Sequence, residues 1–258
     1  MLRTAFVTLS LAAAAFGQTA PAFDVASVRV SPPGKGGGEG MKHDMRTGVN
    51  IQVSPDGVTI RNSNLRSIVC WAHKVFEFQV KGPDWLGSER YDINAKASAA
   101  ADDEKLRLMM QTLLAERFKM ATHSETKEMQ AYLLQIAKGG LKVKESTAGD
   151  GEMDITPNQQ TMSVTVVRAG VPQLIDALSN IFRAPVIDQT GLTGKYDATF
   201  NMMKYLAEMK AADPNAPLDP QTLIIRGLQE ELGLKVEPKK MAVDLVVVDR
   251  AEKVPVAN

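Results

Sequence analysis

Few residues in this chain are spaced to do covalent or acid-base chemistry. It has three histidines, His43, His73 and His123, and none has a partner at the His-x-x-x-His or His-Glu-x-x-His spacing that sets two ligands on one helix face. His43-Asp44 follows a glycine-rich run and reads as a pair in a solvated loop, a weak metal contact at most. His73 lies beside the apolar face of a predicted helix, and Cys70, inside the same apolar pattern, reads as a small buried hydrophobe rather than a nucleophile. The run GKGGGEG (34–40) lacks the Gly-Lys-Ser/Thr ending of a phosphate loop. No Gly-x-Ser-x-Gly elbow is present, and neither Ser163 nor Ser179 has an assignable base. No catalytic residue, metal site or cofactor is therefore expected.

One feature that could bind something is written twice. GPDWLGSERYD (82–92) returns as DQTGLTGKYD (188–197), so the pairs Tyr91-Asp92 and Tyr196-Asp197 stand in matching turns. The match extends outward. Val58-Thr59-Ile60 aligns with Val164-Thr165-Val166, Ile68 with Leu174, Phe76 with Phe182 and Val80 with Val186. Further on, Phe118-Lys119-Met120 aligns with Leu234-Lys235-Val236 and Met129 with Met241. The pattern implies a tandem duplication, roughly 58–138 and 164–250. The two pairs then have two readings: a twin ligand site, or a turn that each unit needs in order to fold. In the second reading each Tyr packs under its turn, near Phe76 or Phe182, while each Asp accepts hydrogen bonds. A turn needed for folding is copied with its unit, which favours the second reading. Trp85 is the remaining binding candidate. Its counterpart is Gly191, and Trp is favoured at interfaces, although packing accounts for it as well.

The elements that must position these residues follow from periodicity. Each unit opens with a short β-branched strand, GVTIR in the first. A helix follows, with Leu65, Ile68, Val69, Ala72 and Phe76 on one face, or Leu174, Ile175, Leu178, Ile181 and Phe182 in the copy. A short strand, the turn and a further strand come next. The second helix carries Leu106, Met109, Met110, Leu113 and Leu114 after Asp102-Asp103, or Ile224, Ile225, Leu228 and Leu232 after Asp219-Pro220. FKMATHSE with QAYLLQIAK, and LKVEP with VDLVVVDR, read as closing hairpins. The predicted fold is α+β: a tandem β-α-β-β-α-β-β unit with mostly antiparallel sheets and helices on one face. FDVASVRV (23–30) reads as an added strand and KAADPNAPLDP (210–220) as an insertion.

Composition bounds the rest. The chain has 258 residues, with 30 Lys+Arg against 30 Asp+Glu, so it lacks the basic excess of a general nucleic-acid binder. A positive start at Arg3, an apolar run from Ala5 to Phe16 and then small residues have the layout of a signal peptide, 1–17 or up to 22. Residues 23–145 form the predicted first repeat, 146–160 a linker and 161–258 the second repeat. No later stretch reads as a membrane helix. The expected location is the periplasm or the medium, where a single Cys forms no internal disulfide.

FDVASVRVSP, GPDWLGSERYDINAKA, PVIDQTGLTGKYDATF and LQEELGLKVEPKKMAVDLVVVDRAEKVPVAN occur in that order. In these segments the chain resembles a family of exported proteins expanded in soil bacteria, a domain of unknown function. More loosely, the unit is similar to the helix-and-strand modules at the N-termini of secretins and TonB-dependent receptors, a likeness of fold alone. Some members of the resembled family carry the domain after a membrane peptidase module of the antibiotic-sensor type, which this sequence does not show. The resulting expectation is an exported, non-enzymatic binding or scaffolding protein with an unknown envelope or extracellular partner. The alternatives are a hydrolase with a site between the repeats, and an accessory or sensor domain of an envelope complex. N-terminal sequencing of protein from its host should find a new terminus after Gly17 or Ala22, and an intact Met1 on a cytoplasmic product would overturn export.

Overall fold

A computed structural model describes residues 20–32, 41–149, 151, 153–158, 160, 163–212 and 219–256. The expected signal peptide, most of the glycine-rich loop and the tip of the insertion lie outside the described residues. The first half runs β1 (Val25–Val30), β2 (Lys42–His43), β3 (Asn50–Ser54), β4 (Gly57–Asn64), α1 (Leu65–His73), β5 (Val80–Lys81), β6 (Arg90–Lys96), α2 (Asp103–Arg117) and β7 (Ala121–Ile136). The second runs β8 (Lys144–Glu145), β9 (Asp154–Asn158), β10 (Ser163–Gly170), α3 (Val171–Phe182), β11 (Val186–Asp188), β12 (Lys195–Asn201), α4 (Met202–Ala212), α5 (Pro220–Gly227), a π-helical turn at Leu228–Leu232 and β13 (Leu234–Arg250). The fold is α+β with mostly antiparallel sheets.

Three sheets form. One has the strand order β1-β6-β4-β3-β2, one β8-β12-β10-β9, and the third β11-β7-β13-β5. In the first, Val28, Ile93, Ile60 and Ile51 are in register across four strands and point into one core with the apolar face of α1 and with Leu106, Met110 and Leu114 of α2. Both helices start where the sequence supplies a cap. Asn64 accepts a hydrogen bond from the Ser67 N–H at 2.8 Å, and Asp102 accepts one from the Lys105 N–H at 2.8 Å.

The third sheet departs from expectation. Each closing segment is one continuous strand, not a hairpin. The stretch Thr122–Gln130 holds no Gly, Pro or Asn to turn on. β7 instead pairs along its length with β13, antiparallel, with Met129 opposite Met241. Pro238 interrupts the second segment in sequence but not in structure, because β13 there has only β7 as a neighbour, an edge position that tolerates proline. Both strands leave their helices through a left-handed residue, Lys119 (φ 49°) and Gly233 (φ 72°). Counted from these residues, Phe118 corresponds to Leu232 rather than to Leu234.

The short strands cross over. β5 of the first half runs parallel to β13, Val80 beside Val246, while β11 of the second half runs parallel to β7, Val186 beside Tyr132. Each core therefore takes side chains from the other half's long strand. Val246 and Val248 pack on the first core, Tyr132 and Leu134 on the second. Several elements were not expected. β2 forms at His43, which was read as loop, β3 pairs with β4 from a stretch assigned no element, β8 forms just before the expected linker and β9 within it, and α4 follows β12 directly.

Leu134 is fully buried in the second core although it belongs to the first half's strand. Leu134→Ala should cost about 3 kcal/mol. Hydrogen exchange should quicken in α3 and α5 more than in α1 and α2, and the reverse pattern would show that the cores are not exchanged.

Candidate functional site

Each repeated Tyr-Asp pair lies opposite a β-bulge. Register shifts fall between Ile60 and Ser63 in β4 and between Val166 and Ala169 in β10. Each bulge holds one residue at positive φ, Asn62 (44°) and Arg168 (60°), whose N–H has left the ladder. The neighbouring strand's aspartate takes it up. Asp92 Oδ1 accepts from the Asn62 N–H at 3.0 Å, and Asp197 Oδ1 from the Arg168 N–H at 2.9 Å. Asp92 also accepts from Ser31 Oγ at 2.7 Å and from Arg29 Nε at 3.3 Å. Burial alone would raise the Asp92 pKa, but these donors together hold it below the usual carboxylate value. Asp197 is likewise held low, by Ser146 first and then by the Arg168 N–H.

The tyrosines differ. Tyr91 is fully buried, edge-on to Phe118 with ring centroids 4.9 Å apart, and its hydroxyl donates to the Lys253 carbonyl at 2.7 Å. Burial pushes its phenol up to about 12. Its aromatic partner is Phe118 rather than Phe76, because β6 passes under the end of α2. Tyr196 is only half-buried, and the ring that meets Phe182 is Tyr132, delivered by β7. The two pairs sit in different sheets and do not converge on one site. Trp85 is half-buried against the first core, with Lys253 Nζ 5.7 Å from its ring centroid.

The other polar candidates are also separate. His43 Nδ1 meets Asn50 Oδ1 at 2.9 Å, and His123 Nδ1 meets Asp249 Oδ2 at 2.9 Å. Burial lowers the His73 pKa and pushes the Cys70 thiol up to about 12, which keeps both neutral at physiological pH. Among the described residues no group of three His, Cys, Asp or Glu side chains could hold a metal ion. No helix among them is long and apolar enough to cross a membrane.

The feature that stands apart is a hollow. In the first half the seventh residue of α1 is Trp71, 2% exposed, with the Arg107 guanidinium 4.6 Å from its ring centroid. The seventh residue of α3 is Ala177. Between α3, α5 and the sheet β8-β12-β10-β9 lies a pocket of about 320 Å³ whose wall is almost wholly apolar. Val166 and Ala198 form its floor, Ala177 and Leu178 its roof, and Leu228 one side, while Met45 reaches over from the first half. Met45, Ile155 and Ile181 at the rim are 47%, 40% and 40% exposed. Asn180 Nδ2 donates to the Met45 carbonyl and ties that loop to α3. The pocket opens to solvent past this rim. A larger cleft of about 880 Å³ runs between the halves, but its charges are already engaged. There Arg46 lies over the Phe76 ring at 4.4 Å and 3.9 Å from Asp176.

A family model described as a protein of unknown function, DUF3738, matches residues 66–251. The chain belongs to the DUF3738 family. No curated protein and no solved structure matches it. The DUF3738 match begins in α1 and ends just after β13, so it includes the exchanged sheet and the helices and sheet that enclose the pocket.

Leu174, Leu178, Ile181, Ile224, Leu228 and Leu232 were read as core faces; all but Ile181 do pack in or against the second core, and all six also line the pocket. The available signal was the difference in bulk between Trp71 and Ala177 in matched helices. Asp92 gives a direct test of the bulge. Asp92→Ala leaves a half-buried N–H without its carboxylate and should cost about 1 kcal/mol. Because its folded pKa lies below the unfolded value of about 3.9, this contribution is present above that pH and is lost as pH falls through the folded pKa. Urea midpoints of wild type and variant should therefore converge in acid, and a constant gap down to the lowest pH would overturn the assignment.

Proposed function

We propose that this DUF3738 protein is an exported, non-catalytic binding protein whose ligand site is the apolar pocket of its second half. The observation that carries the reading is the contrast between two helices in like positions. Where α1 fills its core with Trp71, α3 places Ala177 beside open space. The wall presents no Ser, Cys, His, Asp or Glu side chain among the described residues, so it can enclose a molecule but has little to react with it. The matching bulges and the shared order β-α-β-β-α-β support descent by duplication, with one copy keeping a packed core and the other opening it to a ligand. The layout of residues 1–17 supports action in the envelope or outside the cell.

The test uses N-phenyl-1-naphthylamine, an uncharged fluorophore that brightens in apolar surroundings. The purified protein should bind it at one saturable site per chain. Ala177→Trp, which imitates the filled first half, should abolish binding while circular dichroism and the melting temperature show an intact fold. Saturable binding unchanged in Ala177→Trp would move the site elsewhere, and no saturable binding to wild type would remove the proposal.

A further inference from the structure

The loop that joins β2 to β3 holds two polar atoms that the protein leaves without a partner. Arg46 Nε and Thr47 Oγ1 are both buried, and neither meets a hydrogen-bond partner among the described residues. Thr47 is only 4% exposed. A buried polar group left in this way costs stability, and a hydroxyl, which can rotate, usually finds a partner. The loop is otherwise well bonded. Asp44 Oδ1 accepts from the Arg46 and Thr47 N–H groups at 2.9 and 3.1 Å, and the Gly48 N–H donates to the Asp44 carbonyl at 2.7 Å. The orphaned pair therefore belongs to what the loop faces, not to how it turns.

Both residues line a polar cleft at the seam between the halves, which shares only Met45 with the apolar pocket. Donors meet there from three elements. The loop supplies Thr47 and Arg46. The Arg46–Asp176 contact, at 3.9 Å, is too long for a hydrogen bond and does not use up the guanidinium hydrogens. α1 brings its first turn, with Ser67 in the lining, and the N–H groups at a helix start favour negative charge. α3 ends at the cleft with Arg183, which is exposed and has no ion-pair partner among the described residues. Glu77 is the one acid among the lining residues, so two arginines against one glutamate leave a single positive charge.

We infer that this cleft binds a carboxylate, from a small organic acid or a peptide terminus. Its oxygens accept from the Thr47 and Ser67 hydroxyls and from the two guanidinium groups, and its one charge matches that of the lining. A dianion such as inorganic phosphate would set its second charge against Glu77. Arg183 comes from the second half and the other donors from the first, so the bound group ties the halves together.

Amide NMR of the isotope-labelled protein, titrated at constant ionic strength with acetate, N-acetylalanine and inorganic phosphate, tests this. Acetate should move the Gly48, Ser67 and Arg183 signals saturably, at one site per chain. Phosphate, in mildly alkaline buffer where it is a dianion, should bind more weakly than acetate. Tighter binding of N-acetylalanine than of acetate would assign the source to a peptide terminus, and no gain over acetate to a free acid. Arg183→Ala and Thr47→Val should each weaken acetate about tenfold, the loss of one charge-assisted hydrogen bond. Thr47→Val nearly keeps the shape and removes the orphaned hydroxyl, so it should melt no lower than wild type. A lower melting temperature would show that the hydroxyl is satisfied in the free protein, and the inference would fall. Signals that drift without saturating, phosphate bound as tightly as acetate, or acetate affinity unchanged in both variants would each overturn it as well.

Discussion

The ladder between Ala121–Ile136 and Leu234–Arg250 joins the two halves of the structure. Its backbone hydrogen bonds set the register, and the register decides which side chains each core receives. Leu134 and Val248 enter opposite cores because Met129 stands opposite Met241, and a slip of one residue would turn both toward the wrong face. The short strands β5 and β11 then lock on outside, each against the long strand of the other half. Burial in the two cores is thus tied to one pairing.

A second constraint acts at each strand-to-helix junction. α1 and α3 follow their strands with no loop, so the chain must turn within the strand. A bulge does this at the expense of one N–H, and the carboxylate across the ladder recovers that hydrogen bond. Asp92 does so under cover of Ser31 and Arg29, whereas Asp197 stands in a more open setting. The junctions are alike, yet the cores behind them are not. Half of the residues of β4 are buried, while every residue of β10 is only half-buried. The open space behind Ala177 is where that difference becomes a pocket.

Much of this was legible in the residues. The apolar faces of α1, α2, α3 and α5 have helical spacing, and Asp102 and Asp219 mark two of the starts. The recurrence of Tyr-Asp pointed to a backbone device, although the partner it serves, an N–H about thirty residues earlier, has no local signature. The closing strands were misread because their pairing partner is distant in sequence and a neighbouring segment of similar composition looked like a hairpin mate. α4 was hidden because Met202, Tyr205 and Leu206 followed a strand without a break. The pocket was the least legible part, since a leucine facing a cavity and a leucine facing another leucine are the same letter. Only the contrast in bulk between Trp71 and Ala177 distinguishes them.

The exchange of strands also has a consequence in time. A chain leaves the ribosome from its N-terminus, and the first core needs Val246 and Val248, which emerge only after the whole of the second half up to β13. The helices and sheet of the first half can form early, but they must wait, with an apolar edge uncovered, until β13 has emerged. Long-range pairing of this kind folds slowly and leaves sticky intermediates. The first half therefore stays unfinished while every element of the second half is being made, and its uncovered edge is a place where aggregation can start.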